Sequence, residues 1–389
     1  MWLGTANADA LRLRGDGYVQ APRPVGLLVL QGEDNARPWV SAEGLAWLGS
    51  GQPTTLGEGG PTGTTGTASG DVLTLVVRLR DPSGHGEVRV GRFLETAGAI
   101  RPLHLDGATG LARSPWGTSV EAFGGIPVVA RFGERAYDWA AGGRLGQTIA
   151  ERATVGFAYV QRRDFGRISD EEVGADFAAI PLPWLDLAAR ASNDVVSHGL
   201  TDALASVAMR SRDLRLEGFV TRRSPSHLLP ATSLFSVLGD VPATRYGGTL
   251  RWHAAPRLDL LGTGAAQTQD DRLGADVTLR ATLKTDEDGD GSLGLELRRV
   301  GVPGASWSGI RGIGTVPLKR GLLRASTEIE IAAPDEPANR GSVWPWALVA
   351  VTWRVTPAWD MAVATEAGAT STTKSEVNAL MRASYAWGR

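Results

Sequence analysis

The sequence predicts an all-β protein: a single transmembrane, antiparallel, up-and-down β-barrel with an even number of strands, about 18 to 22. Three observations carry this reading. Apolar and polar side chains alternate along almost the whole 389-residue chain, and a period of two puts one face of a strand in an apolar medium and the other in water. The alternating segments run to roughly ten residues, the length that crosses a bilayer at a tilt. The connectors between them alternate short and long, as they do when tight turns lie on one side of a membrane and loops on the other. No apolar run is long enough for a transmembrane helix, and mean hydropathy is close to zero. A helical membrane protein cannot have that average, but a barrel can, because only alternate residues of each strand face lipid.

Taken in order, Leu11, Leu13, Gly15, Gly17 and Val19 alternate with Arg12, Arg14, Asp16, Tyr18 and Gln20. Val40, Ala42, Gly44, Ala46 and Leu48 alternate with Ser41, Glu43 and Trp47, and Leu73, Leu75, Val77 and Leu79 share one face of the next strand. Val120, Ala122 and Gly124 oppose Glu121 and Phe123; Val155, Phe157 and Tyr159 begin another strand. The same pattern recurs around Val173–Ala179, Leu185–Ala191 and Ala203–Met209. It is cleanest at Leu273–Leu283, Leu293–Leu297 and Leu323–Ile331, where charged residues fill the intervening positions. Val25–Leu30 and Glu87–Phe93 are the weakest segments.

Three short connectors, beginning at Pro183, Pro256 and Pro357, read Pro-x-apolar-Asp-apolar or close to it, with Trp at one of the two variable places in the first and last. Proline has no N–H to give a ladder, so it ends one strand before the next begins. Long connectors are expected at about 49–70 and 223–244, and also near 126–136 and 332–341. The 49–70 loop is Gly/Thr/Pro-rich. The 223–244 loop carries Leu228, Leu229, Leu234, Phe235 and Leu238, too apolar for free solvation, so it is expected to fold into the lumen or cap the mouth. Residues 1–8 are expected to precede the barrel as a periplasmic segment, and 9–389 to form it. No export signal is visible at Met1–Gly4, so the chain reads as a mature form.

Composition narrows the function classes. The absence of cysteine removes thiol catalysis, thiolate zinc sites and disulfides, and a formal net charge of −2 gives no electrostatic case for nucleic acid. The five histidines are scattered: His85, His104, His198, His227 and His253. His104-Leu105-Asp106 is the nearest approach to a catalytic pair, and a polar patch is the favoured reading, so no enzyme is expected. Asp286, Asp288 and Asp290, with Gly291, have the spacing of the first half of a calcium loop, but Leu297 stands where a bidentate carboxylate is needed. The segment is expected to be an acidic hairpin turn and at most a weak calcium site; no cofactor is expected.

Function is expected in the lumen. The polar face supplies Arg12, Arg14, Asp16, Arg190, Asp202, Arg210, Arg272, Asp276, Arg280, Lys284, Glu296, Arg298, Arg324, Glu328, Glu330 and Arg382 as candidate pore-lining residues. Charges of both signs pair across neighbouring strands and keep the interior hydrated. With about twenty strands, side chains alone cannot fill that interior.

The last strand adds a resemblance. Val377, Ala379, Met381, Ala383, Tyr385 and Trp387 line one face of a segment that ends the chain, followed only by Gly388 and Arg389. This resembles the closing strand of Gram-negative outer-membrane β-barrels, in which an alternating strand with a terminal aromatic is the assembly signal. The resemblance implies Tyr385 and Trp387 as that signal, the barrel assembly machinery and outer-membrane lipid as partners, and both termini on the periplasmic side. Trp139, Trp184, Trp252, Trp344, Trp353 and Trp359 lie near strand ends, as aromatic girdles do.

A looser resemblance rests on Val88-Arg89-Val90-Gly91-Arg92-Phe93, His104-Leu105-Asp106-Gly107-Ala108 and Val120–Val128. These segments resemble large envelope barrels, some associated with exopolysaccharide export alongside periplasmic export proteins and others with surface motility complexes. The resemblance implies a porin-like conduit for hydrophilic solutes, with polysaccharide export as the leading case. The alternative is a structural anchor with a plugged lumen, and a rim-active hydrolase comes last.

Overall fold

The computed structural model describes residues 11–21, 25–50, 69–128, 138–196, 198–224, 242–269, 272–287, 290–301, 306–319, 321–335, 342–369 and 375–388. They form twenty-two strands: β1 (Leu11–Ala21), β2 (Val25–Arg37), β3 (Val40–Ser50), β4 (Ser69–Arg80), β5 (Gly86–Glu95), β6 (Leu103–Arg113), β7 (Thr118–Pro127), β8 (Trp139–Ile149), β9 (Ala153–Asp164), β10 (Arg167–Leu182) and β11 (Leu185–Asp194) in the first half. The second half is β12 (Gly199–Arg210), β13 (Leu214–Arg223), β14 (Ala243–Ala255), β15 (Leu258–Gln269), β16 (Arg272–Lys284), β17 (Ser292–Gly301), β18 (Trp307–Lys319), β19 (Leu323–Pro334), β20 (Trp344–Arg354), β21 (Trp359–Gly368) and β22 (Glu376–Gly388). Each strand pairs antiparallel with its neighbours in sequence, and β1 pairs with β22 from Arg12↔Gly388 to Ala21↔Ala379. The sheet therefore closes on itself from β1 to β22, the arrangement by which strands cross a bilayer. The weakest expected segments, Val25–Leu30 and Glu87–Phe93, are full members of the wall as β2 and β5.

Alternation decides which way each side chain points. On β16, Leu273 and Leu279 are 66 % and 53 % exposed, while Asp276 and Arg280, in the alternate phase, pair with Arg245 on β14 and Glu296 on β17. The apolar side chains all round the ring share the outward face. So large a belt of exposed Leu, Val and Ile is incompatible with water and matches the hydrocarbon of a membrane. One expected member is displaced. Leu73 was placed with Leu75, Val77 and Leu79, but the register to β3 slips there, from Leu45↔Thr74 to Ala46↔Val72. Leu73 is the extra residue of a bulge, which sequence alternation alone cannot detect.

The expected aromatic positions fall at the rims. Trp184, Trp252, Trp353, Trp359 and Trp387 lie at the end that carries the tight turns and both described chain ends, and Trp139 and Trp344 at the other. Trp359 and Tyr385 stack at 4.8 Å across the last two strands. A charge on the lipid face tests this orientation. Leu279→Arg is expected to cost about 2–4 kcal/mol, read as a shifted urea midpoint for refolding into vesicles, while Thr278→Arg, on the opposite face, shifts it little.

At the tight-turn end, the Asp81–His85 turn shows how local chemistry sets a connection. Asp81 accepts hydrogen bonds from the backbone N–H groups of Ser83 and His85, both at 3.3 Å, and from the Ser83 hydroxyl. These bonds, that of the hydroxyl first, hold its carboxyl below the ordinary range. Gly84, at φ +79°, reverses the chain. The Asp286–Gly291 connection lies at the same end. Asp286 accepts from the Gly291 N–H at 2.7 Å and Asp290 pairs with Arg324 at 3.0 Å, so both carboxylates serve the turn. Asp288 lies outside the described residues, as do 1–10 and most of the 49–70 and 223–244 loops, so those expectations fall outside them too.

Candidate functional site

One connector does not stay at the rim. Residues 96–102, between β5 and β6, run inward and lie on the inner wall of β8–β10. Its cause is local. Gly91 sits at φ +129°, which side-chain-bearing residues rarely adopt, and a Cβ there would collide with the Leu75 carbonyl. β5 bends at this glycine, and Phe93 and Glu95, on its inward face, become almost fully buried. The strap then packs Ala97 and Ile100 into a cluster with Val76, Phe93, Leu103, Leu105, Phe123, Ala140, Ala158 and Val160, and buries Ala99 beside it. Leu105, Ala97 and Val160 are 0 % exposed. The inner wall can receive the strap because its inward residues there are small: Gly107, Gly125, Ala140, Gly142, Gly156, Ala158 and Gly174.

Two glycine positions fix how closely strap and wall meet. Gly98 has φ +60°, and a Cβ on it would stand 2.5 Å from Asp176 Oδ2 and 2.7 Å from Arg144 Nε. A Cβ on Gly174 would stand 3.0 Å from that of Ala99. The strap is latched by charge. The Arg101 N–H and Nε donate to Glu172 at 3.1 and 2.8 Å, and its Nη2 reaches Asp170. Arg162 pairs with the same Asp170 and lies 3.6 Å from Glu172. Glu172 is 0 % exposed and Arg162 and Asp170 are nearly so, making this a compensated buried network of two guanidinium groups and two carboxylates. At the strap's start, Glu95 accepts from Arg89 at 3.1 Å and from its neighbour's N–H. Beneath it, Arg144 and Asp176 form a two-bond pair at 3.0 and 2.5 Å.

The remaining wall is different. Most of the expected lumen residues make ion pairs between nearby strands: Arg190–Asp202, Arg210–Asp186, Arg245–Asp276, Arg298–Glu330, Lys284–Asp259 and Arg324–Asp290, at 2.8 to 3.3 Å. Arg280 pairs with Glu296 and Arg311 with Glu328. Arg14 holds Asp16 at 2.7 Å, and Asp16 accepts from Ser384 at 2.5 Å across the closing seam. Arg12, Arg272 and Arg382 have no ion-pair partner among the described residues. All these residues share the face opposite the apolar belt. Arg245 of the ladder, Arg311 and Asp259 were not singled out from sequence, although each lies at the polar phase of its strand.

His104 and Asp106 do not form a catalytic pair. Asp106 is held by Arg92 through two bonds at 2.7 and 2.8 Å, and the His104 Nε2 lies 2.6 Å from the Leu73 carbonyl. No group of three or more potential metal ligands occurs among the described residues.

The class these features define is a Gram-negative outer-membrane multi-pass β-barrel with a strap folded against its inner wall. Solved structures of that class superpose on nearly all of it. The P pilus usher PapC translocation pore matches with a TM-score of 0.54 at 11 % identity, over 97 % of this chain and 99 % of that one. The copper transporter OprC matches at 0.59 and 9 % identity, over 97 % and 80 %. The ferric enterobactin receptor PfeA of Pseudomonas aeruginosa matches at 0.60 and 8 % identity, over 98 % and 81 %. At such identities the likeness is one of fold. No protein-family model matches the sequence, and no curated protein is similar to it in sequence.

Proposed function

We propose that this barrel is an outer-membrane channel for hydrophilic solutes, narrowed on one side by the strap, with export of polysaccharide as the finer reading. The observation that carries it is the division of the inner wall. One sector is filled by the strap, which covers an apolar cluster and a buried charge network; the rest bears more open ion pairs of both signs, which hold water and favour no single charge. Arg12, Arg14, Asp16 and the other charged residues named from sequence are its pore lining. A neutral polyhydroxylated chain suits such a surface, because paired guanidinium and carboxylate groups still offer donors and acceptors at their open edges. Tyr385 and Trp387 act as the assembly signal toward the barrel assembly machinery, and periplasmic export proteins would meet the tight-turn end.

The strap's close contact supplies the experiment. The chain has no cysteine, so Ala99→Cys with Gly174→Cys introduces one pair, which a small relaxation brings to the roughly 3.5–4.5 Å Cβ separation of a disulfide. Proteoliposomes carrying the oxidised variant are expected to admit oligosaccharides up to the same size as the parent. If size exclusion tightens on oxidation and relaxes on reduction, the strap moves during passage. If neither protein admits any sugar, the conduit reading fails. The second reading, an envelope anchor with a plugged lumen, draws on the same fully buried cluster, and silence in both proteins is its expected result.

A further inference from the structure

The strap has a counterpart in the wall. β3 and β4 pair up to Gly49↔Ser69, and β5 and β6 up to Glu95↔Leu103, but β4 and β5 pair only from Arg80↔Glu87 to Leu75↔Arg92. Above Leu75, β4 has no strand beside it on the β5 side, because β5 has bent away at Gly91. An unpaired edge facing hydrocarbon is not tolerated. Here side chains close the gap. Arg92 donates to the Val72 carbonyl at 2.8 Å and to Asp71 at 3.0 Å while holding Asp106, and His104 reaches the Leu73 carbonyl. Outside the gap stand Leu75, Leu94 and Val72, all exposed on the lipid face. Directly inside stand Val76, Phe93, Leu103 and Leu105, in the buried cluster that the strap covers. Apolar surface thus lies on both the lipid and the lumen side at one place, and between them stand only side chains: Arg92, held by Asp71 and Asp106, and His104.

We propose that the β4–β5 seam is a lateral portal, through which the acyl chain of an amphiphile in the membrane reaches the apolar inner wall beneath the strap. The occupant is the acyl chain of an amphiphile because Leu75 and Leu94 face lipid outside the seam and Phe93, Leu103 and Leu105 are apolar inside it, while the charged Arg92 and Asp106 at the mouth suit a polar headgroup. Arg92 and His104 are the latch: their bonds to two backbone carbonyls must open for a chain to pass. The proposal is independent of what the aqueous lumen carries.

The test uses the full-length protein in vesicles of phosphatidylcholine doped with a phosphatidylcholine bearing a diazirine at the end of one acyl chain. A lipid-anchored tail cannot arrive through the aqueous mouth. After photolysis, peptide mapping is expected to find label on Leu75 and Leu94, as bilayer contact requires, and also on the inward residues Phe93, Ile100, Leu103 or Leu105. Arg92→Ala combined with His104→Ala, with folding checked by heat-dependent electrophoretic mobility, is expected to raise the inward label severalfold and leave a remote lipid-facing site such as Leu279 unchanged. Label confined to outward residues in the parent protein would overturn the portal, whether or not the double variant folds. Inward label that ignores the double variant would overturn the latch and, with it, the seam as the route.

Discussion

Removing residues 96–102 is expected to raise single-channel conductance severalfold. Glu95 and Leu103 are register partners at the ends of β5 and β6, so an Asn-Gly turn can join the two strands directly and preserve the ladder. What leaves is the only described connector that packs into the apolar cluster on the inner wall. The bore then widens on the β8–β10 side, where Gly98 of the strap had lain against the Arg144–Asp176 pair. A planar bilayer measurement of parent and deleted proteins at one salt concentration checks it. The deletion uncovers Phe93, Leu103 and Leu105, so some stability is lost as well, and the comparison is made on protein that has passed a folding check. Equal conductance in the two would mean that the strap does not bound the current path.

The second large effect is on stability. Glu172 is 0 % exposed and answers both Arg101 and Arg162. Glu172→Ala leaves Arg101 and Arg162, the latter 3 % exposed, to share the single carboxylate of Asp170. Breaking a buried pair from one side costs about 3–5 kcal/mol. Glu217→Ala removes the partner of Arg215, an exposed pair at 3.2 Å, and should cost about 0–1 kcal/mol. Urea unfolding from vesicles distinguishes them. Glu172→Ala should also loosen the strap, since its two carboxylate oxygens hold the Arg101 backbone and side chain together. Similar midpoints for the two variants would show that the latch network is not a stabilising element.

Much of this architecture was legible in the sequence because a barrel wall obeys a local rule. Each strand must alternate, so Leu273–Leu283 or Val377–Trp387 state their own orientation without knowledge of their neighbours. The charged positions follow from the same phase, and closure brings them within reach of charges on the next strand or the next but one. The strap was not legible. Residues 95–103 are short, carry a charge at each of two positions and look like an ordinary connector. The apolar 223–244 loop drew attention instead, and it lies mostly outside the described residues. A subtler signal existed. The inward phase of β6–β10 mixes small residues, at Gly107, Gly125, Ala140, Gly142, Gly156, Ala158 and Gly174, with the charged Glu121, Arg144, Arg162, Glu172 and Asp176. Small residues leave room on a wet face for a segment to lie against it, and the charges beside them can hold that segment. The bend at Gly91 and the bulge at Leu73 were equally invisible, since neither disturbs composition and both act through backbone geometry.

The measurement that reaches the central claim most directly is the conductance of the refolded parent protein across a planar bilayer as potassium chloride is raised. A hydrated lumen bounded by ion pairs gives discrete steps that grow with salt and show weak preference for either ion, because the lining charges compensate one another. No steps from the folded parent, and none after residues 96–102 are removed, would contradict the channel and leave the anchor in its place.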